Sequence, residues 1–403
     1  MTFRMAIVPA AIILAGLLTA SYILAIDAEG RALAFSLLAG SAFGIVLQRG
    51  RFCFMCNFRD LFERRSSDGA IAILVALGAG ALLHQIIITA WMPLPLEGRL
   101  PPSAHIGPAG YILALAAFVF GLGMALSGSC LSAHFYRLGE GAFGSLIAIG
   151  GAAIGFLLGF LTWPRLYTFA VFDDPPVWLP HHLGYTGSLI VTVAALLFLT
   201  IVVLKIAPLT SQTPSEDHKK RSSFKAVLVS RWPPVVSGIF VAIISAFTYF
   251  RVAPLGVTAE LGSIVRTAGI RFSVLPEGLP GLDTLRGCIS AVKQGILSPN
   301  GVFVGGLVLA SFSSALIADQ FKPSWPNLNG LIAHLLGGIM MGWASMIALG
   351  CTVGVLLSGI HAGAVSGWIF LVFCIVGTWA GLAVLKAFAN RKGSAAPPRD
   401  QVL

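Results

Sequence analysis

Ten stretches of mostly apolar residues, each near the length of a bilayer crossing, alternate with short polar breaks along this chain. A spanning helix needs about 20 such residues, and the runs fall near 5–25, 32–48, 70–92, 110–132, 142–163, 185–206, 233–250, 300–317, 330–350 and 364–388. The first run lacks a clear small-residue cleavage site and reads as a first helix, not a signal peptide. One long polar stretch, containing TSQTPSEDHKKRSSFK, divides the runs into six and four. The expected organisation is an N-terminal transmembrane part (1–206), a polar linker (207–232), a C-terminal transmembrane part (233–388) and a disordered tail (389–403).

Within the pattern one interruption occurs twice. Gly121–Gly141 reads GLGMALSGSCLSAHFYRLGEG, and Gly342–Ile360 reads GWASMIALGCTVGVLLSGI, with Cys351 placed 221 residues after Cys130. In each, an apolar helix runs into a small-residue break, then a cysteine, then a second apolar segment. Backbone interrupted at membrane depth must line a cavity or pack tightly to satisfy its polar groups. Matched interruptions in two halves point to a transporter's substrate site. The second and seventh runs begin the two matching sets, five crossings apart, so the sets are expected to run in opposite senses. The predicted fold is an all-α polytopic integral membrane protein with two inverted-topology repeats of about four helices, broken or re-entrant helices, and extra helices at the first and sixth runs.

Composition sharpens the class. Apolar residues make up 57% of the 403 and charged ones 10%, with mean hydropathy +0.88, against about 25% charged in soluble proteins. The net charge of +10 comes from basic residues scattered between apolar runs, which is the positive-inside bias and not a nucleic-acid surface. Placing both termini and the linker in the cytoplasm puts the majority of the 26 Lys and Arg inside, including Arg49, Arg51, Arg59, Arg64, Arg65 and Arg137. No phosphate-binding GxxxxGK[ST] loop is present, so no ATP-driven motor is expected.

The six cysteines then carry the chemistry. Cys53 and Cys56 form a C-x-x-C in GIVLQRGRFCFMCNFRDLFERR, with Arg59 and Asp60 as a local ion pair. A redox pair would need a βαβ context, and zinc would need a second pair of ligands, so a thiol at a pore is the third reading. The corresponding region of the second set, RVAPLGVTAELGSIVR, has no cysteine. Cys130 and Cys351 sit directly after small-residue breaks with Ser127, Ser129 and Thr352 beside them, whereas Cys374 lies in a plain apolar run and reads as packing. Cys288 has no evident partner. Tyr136, Arg137 and Glu140 either belong to the site or mark the end of the fourth run, and His84 and His334 read as packing histidines.

These residues resemble the YeeE/YedE family of membrane proteins, whose characterised members take up thiosulfate. The resemblance is carried by Gln48–Asp60, Gly121–Gly141, Gly337–Ile360 and Gly363–Trp368. It implies an hourglass-shaped protein of the bacterial inner membrane, with three pore cysteines that map onto Cys53, Cys130 and Cys351. Cys56 lies close enough to share the first assignment. Arg59, Asp60, Ser127, Ser129, Arg137, Glu140 and Thr352 become possible supporting residues, with no catalytic residue, metal or cofactor. Expected partners are thiosulfate or a similar small anion, membrane lipid, and a small cytoplasmic sulfur carrier (TusA-like), with no nucleic acid. Neutral thiols are weak, polarisable donors, suited to binding that must be loose enough to release. The expected mechanism is a relay of thiol hydrogen bonds. The alternatives are a membrane sulfurtransferase that forms a cysteine persulfide, and uptake of a selenium compound or a sulfite-like anion.

Overall fold

The computed structural model describes residues 3–96, 98–208, 229–282, 292–293, 295 and 297–391. The linker segment TSQTPSEDHKKRSSFK, Cys288 and most of the tail lie outside the described residues. Among the described residues, ten helices or broken helices are long and apolar enough to cross a membrane. The protein is a multi-pass, all-helical membrane protein, and among the described residues β-type pairing is confined to isolated bridges such as Ala142–Ser324.

In chain order the first part contains α1 (Phe3–Ile26), α2 (Arg31–Gly50), α3 (Phe54–Glu63), α4 (Asp68–Trp91), α5 (Tyr111–Ser127), α6 (Leu131–Gly139), α7 (Gly144–Leu166, continued by a π turn) and α8 (Leu179–Ile206). The second part contains α9 (Pro234–Arg251), α10 (Val257–Arg271), α11 (Pro299–Ile317), α12 (Leu328–Ile347), a π turn (Thr352–Leu357) leading into α13 (Ser358–His361), and α14 (Val365–Arg391). Each apolar run of the sequence is found within a few residues of its expected ends. The pattern did not resolve α3, α6, α10 and the π turn, because elements of 10, 9, 15 and 6 residues are too short to register as crossings.

The main helix contacts couple the two parts. α2 packs on α11, α4 on α9, α5 on α14 and α7 on α12, while α5 also packs on α12. Exchanging α2 with α9, α4 with α11, α5 with α12 and α7 with α14 turns this set of pairs into itself. Lipid tails offer no hydrophobic drive for helices to associate, so close backbone approach through small residues supplies the contact. A Cβ on Gly155 would stand 2.1 Å from Ile339 O, and one on Gly342 would stand 2.1 Å from Ala152 O. The α5–α14 pair is equally close: a Cβ on Gly121 would lie 2.3 Å from Cys374 O.

Burial separates core from rim. In the span 328–361, 83% of the most apolar window is buried, against 17% for the first span and 11% for α8. α1 and α8 are therefore outer helices with apolar faces suited to lipid. One large apolar cluster unites Cys53, Cys130, Cys351 and Cys374 with side chains from both parts.

Candidate functional site

Three of the cysteines share a backbone arrangement. Each is the extended residue that caps a short helical segment, and each follows by two positions a residue with positive φ. Arg51 (φ 46°) precedes Cys53, which starts α3; Gly128 (φ 77°) precedes Cys130, which starts α6; Leu349 (φ 59°) precedes Cys351, which starts the π turn. A left-handed residue ends a helix by turning the chain out of it, and the extended cysteine then lets a new helix begin in another direction. Gly128 takes that conformation without Cβ strain, whereas Arg51 and Leu349 are held in it by their surroundings. The corresponding turn before α10 uses Gly256 at negative φ and carries no cysteine. Cys56 lies within α3, and Cys374 lies within α14.

Two of the three thiols touch. Cys53 Sγ donates to Cys130 Sγ at 3.8 Å and lies 3.7 Å from Ser129 Oγ, while Cys130 Sγ lies 3.4 Å from Ser132 Oγ. Cys53 Sγ also accepts the backbone N–H of Cys56 at 3.5 Å, so the thiol stands at the N-terminus of α3, where unpaired N–H groups gather. Cys53 and Cys130 are 0% and 1% exposed, which withdraws both from bulk water. Ser127 Oγ donates to Ser129 O at 3.1 Å and reaches His134 Nε2 at 3.2 Å, and His134 Nδ1 meets Ser145 Oγ. This chain of contacts braces the break between α5 and α6.

Cys351 is fully buried, and its Sγ makes no hydrogen bond among the described residues. Next to it, Thr352 Oγ1 is buried without a partner, as is Ser345 Oγ on α12. Buried hydroxyls normally find a partner, so these two donors are unspent. The break itself is pinned from a distant loop: His105 Nε2 meets Leu349 O at 3.0 Å. His105 lies between α4 and α5, and burial pushes its pKa below the usual imidazole range, which keeps it neutral.

The remaining candidates divide. Arg59 pairs with Asp60 at 3.8 Å, and Asp60 also meets Arg64 at 3.6 Å, a partly exposed cluster on α3. Arg51 is exposed, and the cation that touches the C-x-x-C is Arg137, whose Nη2 donates to Cys56 Sγ at 3.2 Å. Arg137 therefore contacts the C-x-x-C at Cys56. Glu140 Oε1 accepts from Gln48 Nε2 at 3.1 Å, and burial raises its pKa while Arg137, Arg51 and Arg231 oppose the rise.

Several residues escaped sequence reading. Gln48 also donates to Gln320 at 2.7 Å and accepts from Ser314 Oγ at 2.8 Å. Arg49 Nε donates to Ser314 Oγ at 2.7 Å, joining α2 to α11. The polar QRGR run signalled these residues without naming their partners, because the partners come from the other part of the chain. His84 stacks on Tyr249 and lies 4.7 Å from His361, and His134 meets His334 edge-on at 5.9 Å. The isolated histidines of the sequence are thus members of pairs. Among the described residues no group of His, Cys, Asp and Glu is arranged to hold a metal ion.

The chain is similar to known transport proteins. Thiosulfate transporter TsuA of Escherichia coli (strain K12) is 26% identical over 375 residues, covering 88% of this chain and 95% of the relative. Thiosulfate transporter TsuA of Spirochaeta thermophila is 28% identical over 365 residues, covering 85% and 96%. Probable transporter YedE of Escherichia coli (strain K12) matches over a shorter stretch, 27% identical across 43% of this chain and 40% of the relative. The family model described as "Sulphur transport" matches residues 49–380 and so takes in all three capping cysteines and both parts of the helical fold. This chain belongs to the sulphur transport family.

Proposed function

We propose that this protein carries thiosulfate, or a closely related small sulfur-bearing anion, across the inner membrane by way of Cys53, Cys130 and Cys351. The observation that carries the reading is the pair of buried thiols 3.8 Å apart, each at the start of a short helix where the chain has turned out of a longer one. An anion in a low-dielectric core is costly unless donors meet it. Here the donors are S–H groups, the Ser129 and Ser132 hydroxyls, and the N–H groups at the starts of α3 and α6. A thiol is a weak donor and accepts soft sulfur in turn, so the anion is held briefly and released.

The step to Cys351 is made by the substrate, since no direct contact links that thiol to the pair. The unpartnered hydroxyls of Ser345 and Thr352 supply the donors that an arriving anion needs there. Halves of opposite sense would bring the two breaks toward one axis from the two membrane faces, and the exchange symmetry of the helix pairs supports that arrangement. Both termini are assigned to the cytoplasm, where a small sulfur-carrier protein would receive the substrate.

The test is uptake of labelled thiosulfate into proteoliposomes. Cys130→Ala and Cys351→Ala are expected to abolish uptake while the protein still inserts. Normal uptake in either variant sinks the relay. A persulfide found on Cys53 by mass spectrometry after exposure to thiosulfate would replace hydrogen-bonded passage with sulfur transfer.

A further inference from the structure

This inference rests on the transport reading and concerns where the oxygens of the anion are held. Arg137 lies seven residues after Cys130, about two helical turns along α6. Its guanidinium donates to Cys56 Sγ at 3.2 Å, and Cys56 stands one turn into α3 from Cys53, to which its own N–H is bonded. The cation is thus joined through Cys56 to the pair formed by Cys53 and Cys130.

A guanidinium that is only partly exposed, as Arg137 is, is expected to find a carboxylate, because an uncompensated charge in a low-dielectric surround is costly. The carboxylate nearest in sequence is Glu140, and it is occupied elsewhere. Gln48 donates to it from α2, and the same amide is fixed by Gln320 and Ser314 of the second part. Among the described residues no ion pair joins Arg137 to any carboxylate. Its side-chain hydrogen bond goes to the Cys56 thiol, which compensates a positive charge poorly. Five donors are available on a guanidinium, and most of them are unspent.

We propose that Arg137 is the oxyanion seat of the transport path. It takes the oxygens of the anion bidentately while the terminal sulfur faces Cys53 and Cys130, and Cys56 holds the guanidinium in place when the seat is empty. Gln48 is the positioning residue, because it keeps Glu140 from closing the seat. The pairing selects for a sulfur oxyanion: a hard, forked donor for the oxygens beside soft thiols for the sulfur.

The experiment compares concentration dependence of thiosulfate uptake in proteoliposomes with calorimetric binding of sodium thiosulfate to the solubilised protein. Arg137→Gln is expected to raise KM and the dissociation constant about 10- to 100-fold, the size of a lost charge-assisted bond, with Arg137→Lys recovering a large part. Gln48→Leu, which touches no substrate atom, is expected to raise KM in the same direction by freeing Glu140. Adding Glu140→Gln to Gln48→Leu is expected to restore KM, an outcome that a merely structural role for Gln48 does not give. An unchanged KM in Arg137→Gln, a lysine variant as impaired as the glutamine one, or no restoration in the double variant overturns the proposal. If Arg137→Gln fails to insert, Arg137→Lys and the Gln48 pair decide alone. Wild-type protein that binds thiosulfate through Arg137 but does not move it would defeat the transport reading and leave the seat standing.

Discussion

At the break between α5 and α6 the chain surrounds Cys130 with groups that exchange hydrogen bonds: Cys53, Ser129, Ser132 and, a turn away, His134. At the break after α12, Cys351 is followed by Thr352, Val353, Gly354 and Val355, all buried, and its sulfur has no partner among the described residues. Both cysteines follow a left-handed residue by two positions and both are extended. The backbone of the two breaks is thus alike while the chemistry around them differs. One half furnishes a polar cradle with a cation beside it; the other furnishes an apolar surround with two unspent hydroxyls. On the proposed transport reading, a path with such unlike ends would have a direction, because the anion would exchange sparse donors for many.

The largest effect that separates the two breaks is expected from cysteine-to-serine exchange. Serine at 130 enters a neighbourhood that already accommodates hydroxyls, so Cys130→Ser should keep measurable thiosulfate uptake, reduced several-fold by loss of the soft contact. Serine at 351 puts a stronger donor where no partner waits, at a cost of about 1–3 kcal/mol for an unsatisfied buried hydroxyl. Cys351→Ser should therefore fall to background uptake with lowered thermal stability. Equal losses at the two positions would erase the chemical contrast.

Much of this was readable beforehand, and what was not has a physical reason. The ten runs announce themselves, since lipid demands unbroken apolar helices of fixed length. The kinship of Cys130 and Cys351 was visible because small residues precede both. What the sequence hides is the third instance of the same turn, at Arg51 before Cys53: Arg51, like Leu349, adopts positive φ, and neither residue type advertises it. Contacts such as Gln48 with Glu140 and Gln320, or His105 with Leu349, join segments up to 272 residues apart. No local pattern records such contacts. The sequence marks Arg137 but not its contact, because the thiol that it meets lies 81 residues earlier.

A middle-sized effect tests whether the likeness of the breaks extends into the helices that lead to them. Gly121 and Gly342 occupy matching places in α5 and α12, and a Cβ on either would press on backbone oxygen, at 2.3 Å from Cys374 O or 2.1 Å from Ala152 O. Neither oxygen can step aside as a side chain would. Gly121→Ala and Gly342→Ala are each expected to cost about 1–3 kcal/mol from overpacking, read as similar drops in the melting temperature of the solubilised protein. A drop at only one position would show that the two helices are not equivalent in packing.

The smallest expected effect is a pair of opposed pH slopes. Burial lowers the pKa of His105, which holds Leu349 at the second break, beneath its ordinary 6.5. Protonation then favours the unfolded chain, so its contribution is present above 6.5 and lost as pH falls through the depressed folded value. Burial raises the pKa of Glu140, beyond the first break, above its ordinary 4.5. Ionisation then favours the unfolded chain, and that contribution is lost as pH rises from 4.5 through the raised folded value. Acid thus loosens the second break and base the first. Melting temperatures recorded across about pH 4 to pH 8 should lose the acid-side slope in His105→Gln and the base-side slope in Glu140→Gln. If one variant flattened both sides, the two breaks would be a single titrating unit, and the contrast between them would belong to their cysteines alone.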